Sequence, residues 1–158
     1  MEQVAPVKKV VTLCVVRRGN QVLLGFKKRG FLAGKWNGFG GKVQPGETVL
    51  AAAARELKEE AGISCRSFVH RGIVCFHEEV PNTVFEMHVF EGTDIEGEPV
   101  ESEEMRPQWF PVAVLPYEGM SPDDKHWMPV FFTGNKFRGD FYYDGTPEGL
   151  LRHELHAR

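Results

Sequence analysis

Glu56, Glu59 and Glu60 stand at i, i+3 and i+4, a spacing that on a helix puts three carboxylates on one face with Cβ atoms about 5–6 Å apart. Like charges so placed repel, and only Arg55 and Lys58 stand nearby to offset them. The ordinary explanation of a Glu-rich helix is a solvated acidic face. The chemical alternative is a divalent-cation site of few, hard oxygen ligands, leaving coordination positions for water and substrate phosphates as Mg²⁺ prefers, with Mn²⁺ as a substitute. Upstream lie Gly40 and Gly41. Without a Cβ, their backbone can approach a metal or phosphate closely and offer a carbonyl as ligand.

These groups need elements to hold them. A helix is expected from Glu47 or Thr48 to Ala61: Pro45-Gly46 makes a turn, an acid opens the first turn, Ala51 to Ala54 favour helix, and Gly62 stops it. The preceding segment, Lys28 to Gly46, holds six glycines with little periodicity, the mark of a functional loop. Before it, Val10 to Val16 reads as a strand buried on both faces, and Gln21 to Phe26 follows an Arg-Gly-Asn turn as its hairpin partner. Further strands are expected at Phe68 to Phe76, Val84 to Phe90, Gln108 to Val112 and Lys136 to Tyr143, and Leu150 to His156 as a strand or short helix. A second helix should start with Ser121 as N-cap and Pro122 at its first position. Helices and strands interleave, so the class is α/β or α+β with a mixed sheet.

Gly41, five residues, Glu47, seven residues and RELKEEAGI form one uninterrupted pattern. It resembles the Nudix box, GX₅EX₇REUXEEXGU with U aliphatic; Gly41, Glu47, Arg55, Glu56, Leu57, Glu59, Glu60, Gly62 and Ile63 meet every specified position. A lone acidic helix carries no such weight, and here the metal reading prevails. The resemblance implies an α/β/α sandwich around a mixed sheet, with the box forming loop, helix and loop. It also implies hydrolysis of a nucleoside diphosphate linked to another moiety, by water attack on phosphorus. Glu56, Glu59 and Glu60 would be catalytic and would hold the cation with Gly40; Gly41, Glu47, Arg55 and Gly62 would be structural, Glu47 pairing with Arg55.

Outside the box, LLGFKKRGFLAGKWNGFGGKVQPGE, PVESEEMRPQWF and MSPDDKHWMP are similar to the vertebrate members that remove oxidised purine nucleoside triphosphates such as 8-oxo-dGTP and 2-oxo-dATP. What that similarity implies is a product pair of nucleoside monophosphate and pyrophosphate. Asn37 would then hydrogen-bond the base edge, Asp123 and Asp124 would read its altered face, and Glu104 would add a carboxylate to the metal site. Lys27, Phe31, Phe76, Met87 and Trp127 would form pocket walls, with Thr12 near the base or sugar. Each has a plainer reading: Asn37 as a turn residue, Asp123 and Asp124 as helix caps, and Phe76, Met87 and Trp127 as core. At Ser121 those members carry a Trp that stacks on the base, a departure that bears on purine affinity and lesion preference and leaves fold and hydrolysis untouched. The alternatives are another Nudix hydrolase, acting on dinucleoside polyphosphates, nucleotide sugars or capped RNA, and a non-catalytic nucleotide-binding module.

The 158 residues suffice for one domain, with residues 1–7 as a loose tail. A net charge of −3, from 19 Lys and Arg against 22 Asp and Glu, argues against a stable nucleic-acid complex and leaves a small nucleotide as partner. No apolar run reaches the roughly 18 residues of a membrane span. No leader is evident at the N-terminus, so the address is cytoplasmic by default, with mitochondria and nucleus as further compartments, and the protein is read as a monomer. Cys14, Cys65 and Cys75 are odd in number and lack a CxxC pair, as reduced core thiols do. His153 and His156, three apart, miss the zinc-binding His-Glu-x-x-His spacing and read as surface residues. Lys27, Lys28 and Arg29 fit phosphate attraction.

Overall fold

The computed structural model describes residues 4–157. The elements are β1 (Val7–Arg18), β2 (Gln21–Lys27), β3 (Trp36–Asn37), α1 (Val49–Ala61), β4 (Ser64–Glu78), β5 (Thr83–Glu96), β6 (Met105–Pro111), α2 (Asp124–Phe132), β7 (Phe137–Tyr143) and β8 (Leu150–Ala157). They make one mixed sheet in the order β3-β2-β1-β5-β4-β7-β8, with β6 also paired to β2. The β1–β5 and β4–β7 pairs are parallel.

Side-chain alternation along the strands sorts the core into two layers. Leu13 and Val15 of β1 and Val22 and Leu24 of β2 pack with Trp127, Met128 and Phe131 of α2. Their neighbours Cys14, Val16 and Leu23 pack with Leu57 and Ala61 of α1. The two helices therefore lie on opposite faces, the α/β/α arrangement, and β1 is buried on both sides as its near-continuous apolar run requires.

Helix α1 ends at Ala61 as expected but starts at Val49, after the Thr48 cap, so that Glu47 lies before the helix and no acid stands in its first turn. Thr48 accepts the Ala51 N–H at 3.0 Å, and Gly62 closes the helix at φ 73°. The strands are longer than hydrophobic patterning suggests. β4 and β5 pair antiparallel from Ser64–Glu96 to Glu78–Thr83, through a bulge between His70 and Gly72, because backbone pairing continues where the side-chain pattern turns polar. β1 likewise starts at Val7, where the expected tail ends. Leu150 to Ala157 is a strand on β7, and His153 and His156 are exposed on it. The second helix differs from expectation at its start: Ser121 accepts the Asp124 N–H in a turn, and α2 begins at Asp124 with no side-chain cap. Cys14, Cys65 and Cys75 are buried free thiols. Among the described residues no helix is long and apolar enough to cross a membrane.

The sheet splits in the region that matters for function. β1 pairs with β2 over Val16–Arg18, while β2 takes β3 as a neighbour at Gly25 and Phe26. The flank of β1 below that point is taken by the glycine-rich segment: Cys14 exchanges hydrogen bonds with Phe39, Thr12 N–H donates to Gly41 and Val43 N–H to Val10. A Cβ on Gly40 would lie 1.8 Å from the Thr12 carbonyl oxygen. Only glycine allows this backbone-on-backbone approach, which wedges the loop into the sheet beneath α1.

Candidate functional site

A cleft of about 710 Å³ opens where this wedge meets α1 and the segment before β6. Glu56, Glu59 and Glu60 from α1, Gly40, Gly41 and Lys42 from the loop, Lys27 and Arg29 from the end of β2, and Ser102, Glu103 and Glu104 line it. The helical spacing and the remote Glu104 thus meet in one place.

Arg55 organises the helix side. Its Nε donates to Glu47 Oε2 at 2.8 Å and its Nη2 to Glu47 Oε1 at 3.0 Å, a two-pronged pair between the loop and the helix. Its Nη1 donates to Glu56 at 3.0 Å and to Glu59 at 3.3 Å, and Nη2 to the Lys42 carbonyl. This bonding, with the Gln44 N–H as a second donor, holds the Glu47 carboxyl down to about 2. Glu60 is only 5% exposed and accepts the Gly40 N–H at 2.8 Å. Burial first, and the Glu56 charge second, push its carboxyl up to about 8. Burial also raises Glu56, with Arg55 pulling the other way and Glu59 and Glu104 adding to the rise. A Cβ on Gly41 would sit 2.6 Å from Glu56 Oε1, so this glycine leaves room for a carboxylate.

The donor set fits a divalent cation: hard carboxylate oxygens and glycine backbone beside a cleft, with two carboxyls held above their ordinary range by burial and mutual charge that a cation would offset. As they stand, no three acidic, His or Cys side chains among the described residues converge on one point. Arg55 holds Glu56 and Glu59, and the Gly40 N–H holds Glu60.

Sequence reasoning missed part of this arrangement. The Ser102 hydroxyl donates to the Glu60 carbonyl at 2.9 Å and accepts the N–H groups of Glu104 and Met105. It ties the Glu104 segment to the end of α1; a Ser ahead of an acidic run is the local signal for such a turn. Lys42 and Glu103 were also not singled out. Of the expected cationic trio, Lys28 pairs with Glu101 at 2.5 Å and Arg29 with Glu103 at 3.3 Å. Those two fasten the loop to the 101–103 segment, and phosphate attraction is not their whole role.

The expected base-recognition residues fall on both sides of the sheet. Thr12 and Asn37 share strand parity with the α1 face: Thr12 alternates with Cys14, and Asn37 stands opposite Gly25. Thr12 is 2% exposed, and among the described residues its hydroxyl is the buried side-chain polar group left without a partner. Asn37 Nδ2 donates to the Lys35 carbonyl. Phe76 and Met87 pack with Trp127 and Tyr143 on the α2 face. Trp127 is fully buried, stacked on Phe137 at 5.6 Å, and is therefore core rather than an open pocket wall. Phe31 is 68% exposed on its loop and is not among the residues that line the acidic cleft.

Asp123 and Asp124 are both buried. Asp123 stands at the N-cap position of α2 but makes no side-chain cap bond: its Oδ1 accepts from Ser121 Oγ and Tyr143 Oη, each at 2.7 Å, and its Oδ2 from Trp127 Nε1 at 2.8 Å. Tyr143 was not foreseen, because it arrives from β7 through sheet pairing. Burial, with the Asp123 charge second, lifts the Asp124 carboxyl well above the usual range.

The chain belongs to the Nudix family: residues 7–131 match the NUDIX domain, whose members use divalent cations. Among relatives it is 44% identical over 147 residues to the oxidized purine nucleoside triphosphate hydrolase of Danio rerio, covering 93% of this chain and 94% of that one. It is 44% identical over 135 residues to the same-named protein of Mus musculus, covering 85% and 86%. A MutT protein from Bacillus halodurans superposes with TM-score 0.80 at 30% identity, covering 93% of this chain and 97% of that one.

Proposed function

We propose that this protein hydrolyses oxidised purine nucleoside triphosphates to nucleoside monophosphate and pyrophosphate, with Mg²⁺ as the working cation and Mn²⁺ as a substitute. The observation that carries the substrate class is the buried Asp123–Asp124 pair. One carboxyl is surrounded by donors and burial raises the other well above the usual carboxylate range, an arrangement that favours an acceptor and a donor side by side, as an oxidised purine edge requires. The names of the zebrafish and mouse relatives support the same class. The partnerless Thr12 hydroxyl supports a ligand nearby, since leaving it unpaired costs about 1–3 kcal/mol.

In this reading the triphosphate lies in the acidic cleft against Lys27, Arg29 and Lys42. Glu56, Glu59 and Glu60, with Glu104 and the Gly40 carbonyl, would hold a cation that screens the phosphate charge and acidifies a bound water. Water oxygen attacks phosphorus, the α–β anhydride bond breaks, pyrophosphate leaves with the electron pair, and the water proton passes to a carboxylate of the cluster. Arg55 holds the helix carboxylates to the loop throughout. Phe76 and Met87, on the α2 face with the two aspartates, bound the base, and Ser121 leaves its face without the stacking ring of similar proteins. The protein acts on free nucleotides as a cytoplasmic monomer, with the same pool in mitochondria and nucleus open to it. A panel of normal and oxidised nucleotides, dinucleoside polyphosphates and nucleotide sugars with Mg²⁺ tests this. Preferred turnover of 8-oxo-dGTP to monophosphate and pyrophosphate is expected; no turnover of any oxidised purine triphosphate would overturn it.

A further inference from the structure

The last carbonyls of a helix have no partner within it and must find one outside. At the end of α1 both are taken by the segment ahead of β6: the Ala61 carbonyl accepts the Val100 N–H at 2.9 Å, and the Glu60 carbonyl accepts the Ser102 hydroxyl at 2.9 Å. The same hydroxyl oxygen accepts the N–H of Glu104 at 3.3 Å and of Met105 at 3.1 Å. A hydroxyl has one proton to give and two lone pairs, so Ser102 spends its whole capacity here. Met105, 1% exposed in the core layer under α1, gives the junction a fixed base. Glu104 is gripped from its other side as well, its carbonyl accepting the Lys28 N–H at 2.7 Å. Of the acids in this run, Glu101 pairs with Lys28 and Glu103 with Arg29. Among the described residues Glu104 has no cationic partner, and it lines the cleft.

We propose that Ser102 is a positioning residue for the cation site, whose hydroxyl sets the offset between Glu60 and Glu104 by bonding the backbone of both. This rests on the reading that the cleft holds the cation of the proposed hydrolysis. Mg²⁺ demands near-octahedral oxygen ligands at about 2.0–2.1 Å, so carboxylates drawn from two segments must keep a fixed spacing. Glu56, Glu59 and Glu60 have theirs from the helix. Glu104 comes from a segment that pairs with α1 through no sheet, and Ser102 supplies the link that regular structure does not. The Lys28–Glu101 and Arg29–Glu103 pairs hold the neighbouring acids away from the cation, which leaves Glu104 as the carboxylate this run offers to it.

The test measures Mn²⁺ affinity, from loss of the free-ion EPR signal, and the Mg²⁺ concentration for half-maximal hydrolysis of 8-oxo-dGTP. The proteins are the wild type, Ser102→Ala, Ser102→Thr, Glu104→Gln and the Ser102→Ala, Glu104→Gln double variant. Ser102→Ala should weaken Mn²⁺ binding and raise the Mg²⁺ requirement about tenfold, while Ser102→Thr, which keeps the hydroxyl, should stay within about twofold of the wild type. In the Glu104→Gln background the loss of the hydroxyl should add less than about twofold, because it acts through that carboxylate. A role in folding alone would lower the melting temperature and leave Mn²⁺ affinity unmoved, or would add its full effect in the double variant. Either result overturns the positioning role while the hydrolase reading stands. The Mn²⁺ measurement needs no substrate, so it is independent of the substrate assignment; a wild type that hydrolyses nucleotide without any divalent cation overturns the cation reading and the role of Ser102 together. Should Ser102→Ala not fold, Ser102→Cys, with its weaker hydrogen-bonding thiol, carries the same comparison, and an unchanged Mn²⁺ affinity there refutes the proposal equally.

Discussion

At the scale of single residues, the cleft separates groups that do chemistry from groups that hold them. Glu60 and Glu56 should be indispensable to turnover and dispensable to folding, since their carboxylates sit in an environment that opposes their charge. Glu60→Gln and Glu56→Gln are expected to lower kcat by on the order of a hundredfold or more at saturating Mg²⁺, with thermal unfolding retained; unchanged kcat in either would remove it from the metal site. Added Mg²⁺ should raise the melting temperature of the wild type by preferential binding to the folded state, and raise it less in Glu60→Gln. Equal shifts in the two would place the cation elsewhere. Ser121→Trp restores a ring where the chain has a hydroxymethyl, and base stacking contributes roughly 1–3 kcal/mol. KM for 8-oxo-dGTP should therefore fall by about 5- to 150-fold with kcat changed little; an unchanged KM in steady-state kinetics on the folded variant would mean that the base does not pass this position.

At the scale of the element, α1 depends on its two ends and on the loop pinned to it. Gly62 has φ 73°, and a Cβ there would lie 2.6 Å from Val100 Cγ2. Gly62→Ala should therefore cost more than the roughly 1–2 kcal/mol of the left-handed backbone alone, read as a shift in the urea midpoint. The Glu47–Arg55 pair predicts a pH dependence with a definite sign. The Glu47 carboxyl is lowered from 4.5 to about 2 in the folded protein, so its contribution is complete above pH 4.5 and fades as the pH falls toward 2. The stability gap between wild type and Glu47→Gln should narrow over that window and stay flat above it. A gap that widens on acidification would contradict the assignment. The start of α2 illustrates the limit of cap rules at this scale: Ser121-Pro122 has the composition of a helix entry, yet the Ser121 and Asp123 side chains turn inward to a buried network instead.

At the scale of the whole molecule, the wedge of the glycine-rich loop into the divided sheet joins the fold to its site. A methyl at Gly40 meets the Thr12 carbonyl, and neither backbone can yield without breaking the β1–loop hydrogen bonds. Gly40→Ala should displace the loop and with it the backbone at the cation cleft, cutting kcat/KM more than a hundredfold with a smaller proportional loss of stability. Retained activity together with an unshifted melting temperature would show that the wedge is not needed. Phe141→Ala, in the core layer under α2, offers the contrast: a loss of about 3–5 kcal/mol of stability, with activity per folded molecule preserved.

The box helix, its caps, the acidic face and the glycines were legible in the chain because their physics is local. Helical spacing, a C-terminal glycine and like charges on one face depend on neighbours within a few residues. The two-sided burial of β1 was legible for the same reason, since an uninterrupted apolar run has no polar side to turn toward solvent. Contacts that join distant segments were a different matter. Patterning ended β4 and β5 early because cross-strand backbone bonds do not require apolar side chains, and Ser102 and Lys42 joined the cleft only when the 101–104 segment and the loop came to α1. Nothing near Ser121 in sequence announces Tyr143, which lies 22 residues away and reaches Asp123 through the pairing of β7 with β4. The sequence determined which carboxylates stand together on one helix; only the tertiary structure decided which donors surround each acid, because burial and long-range pairing, not spacing, settle where a proton resides.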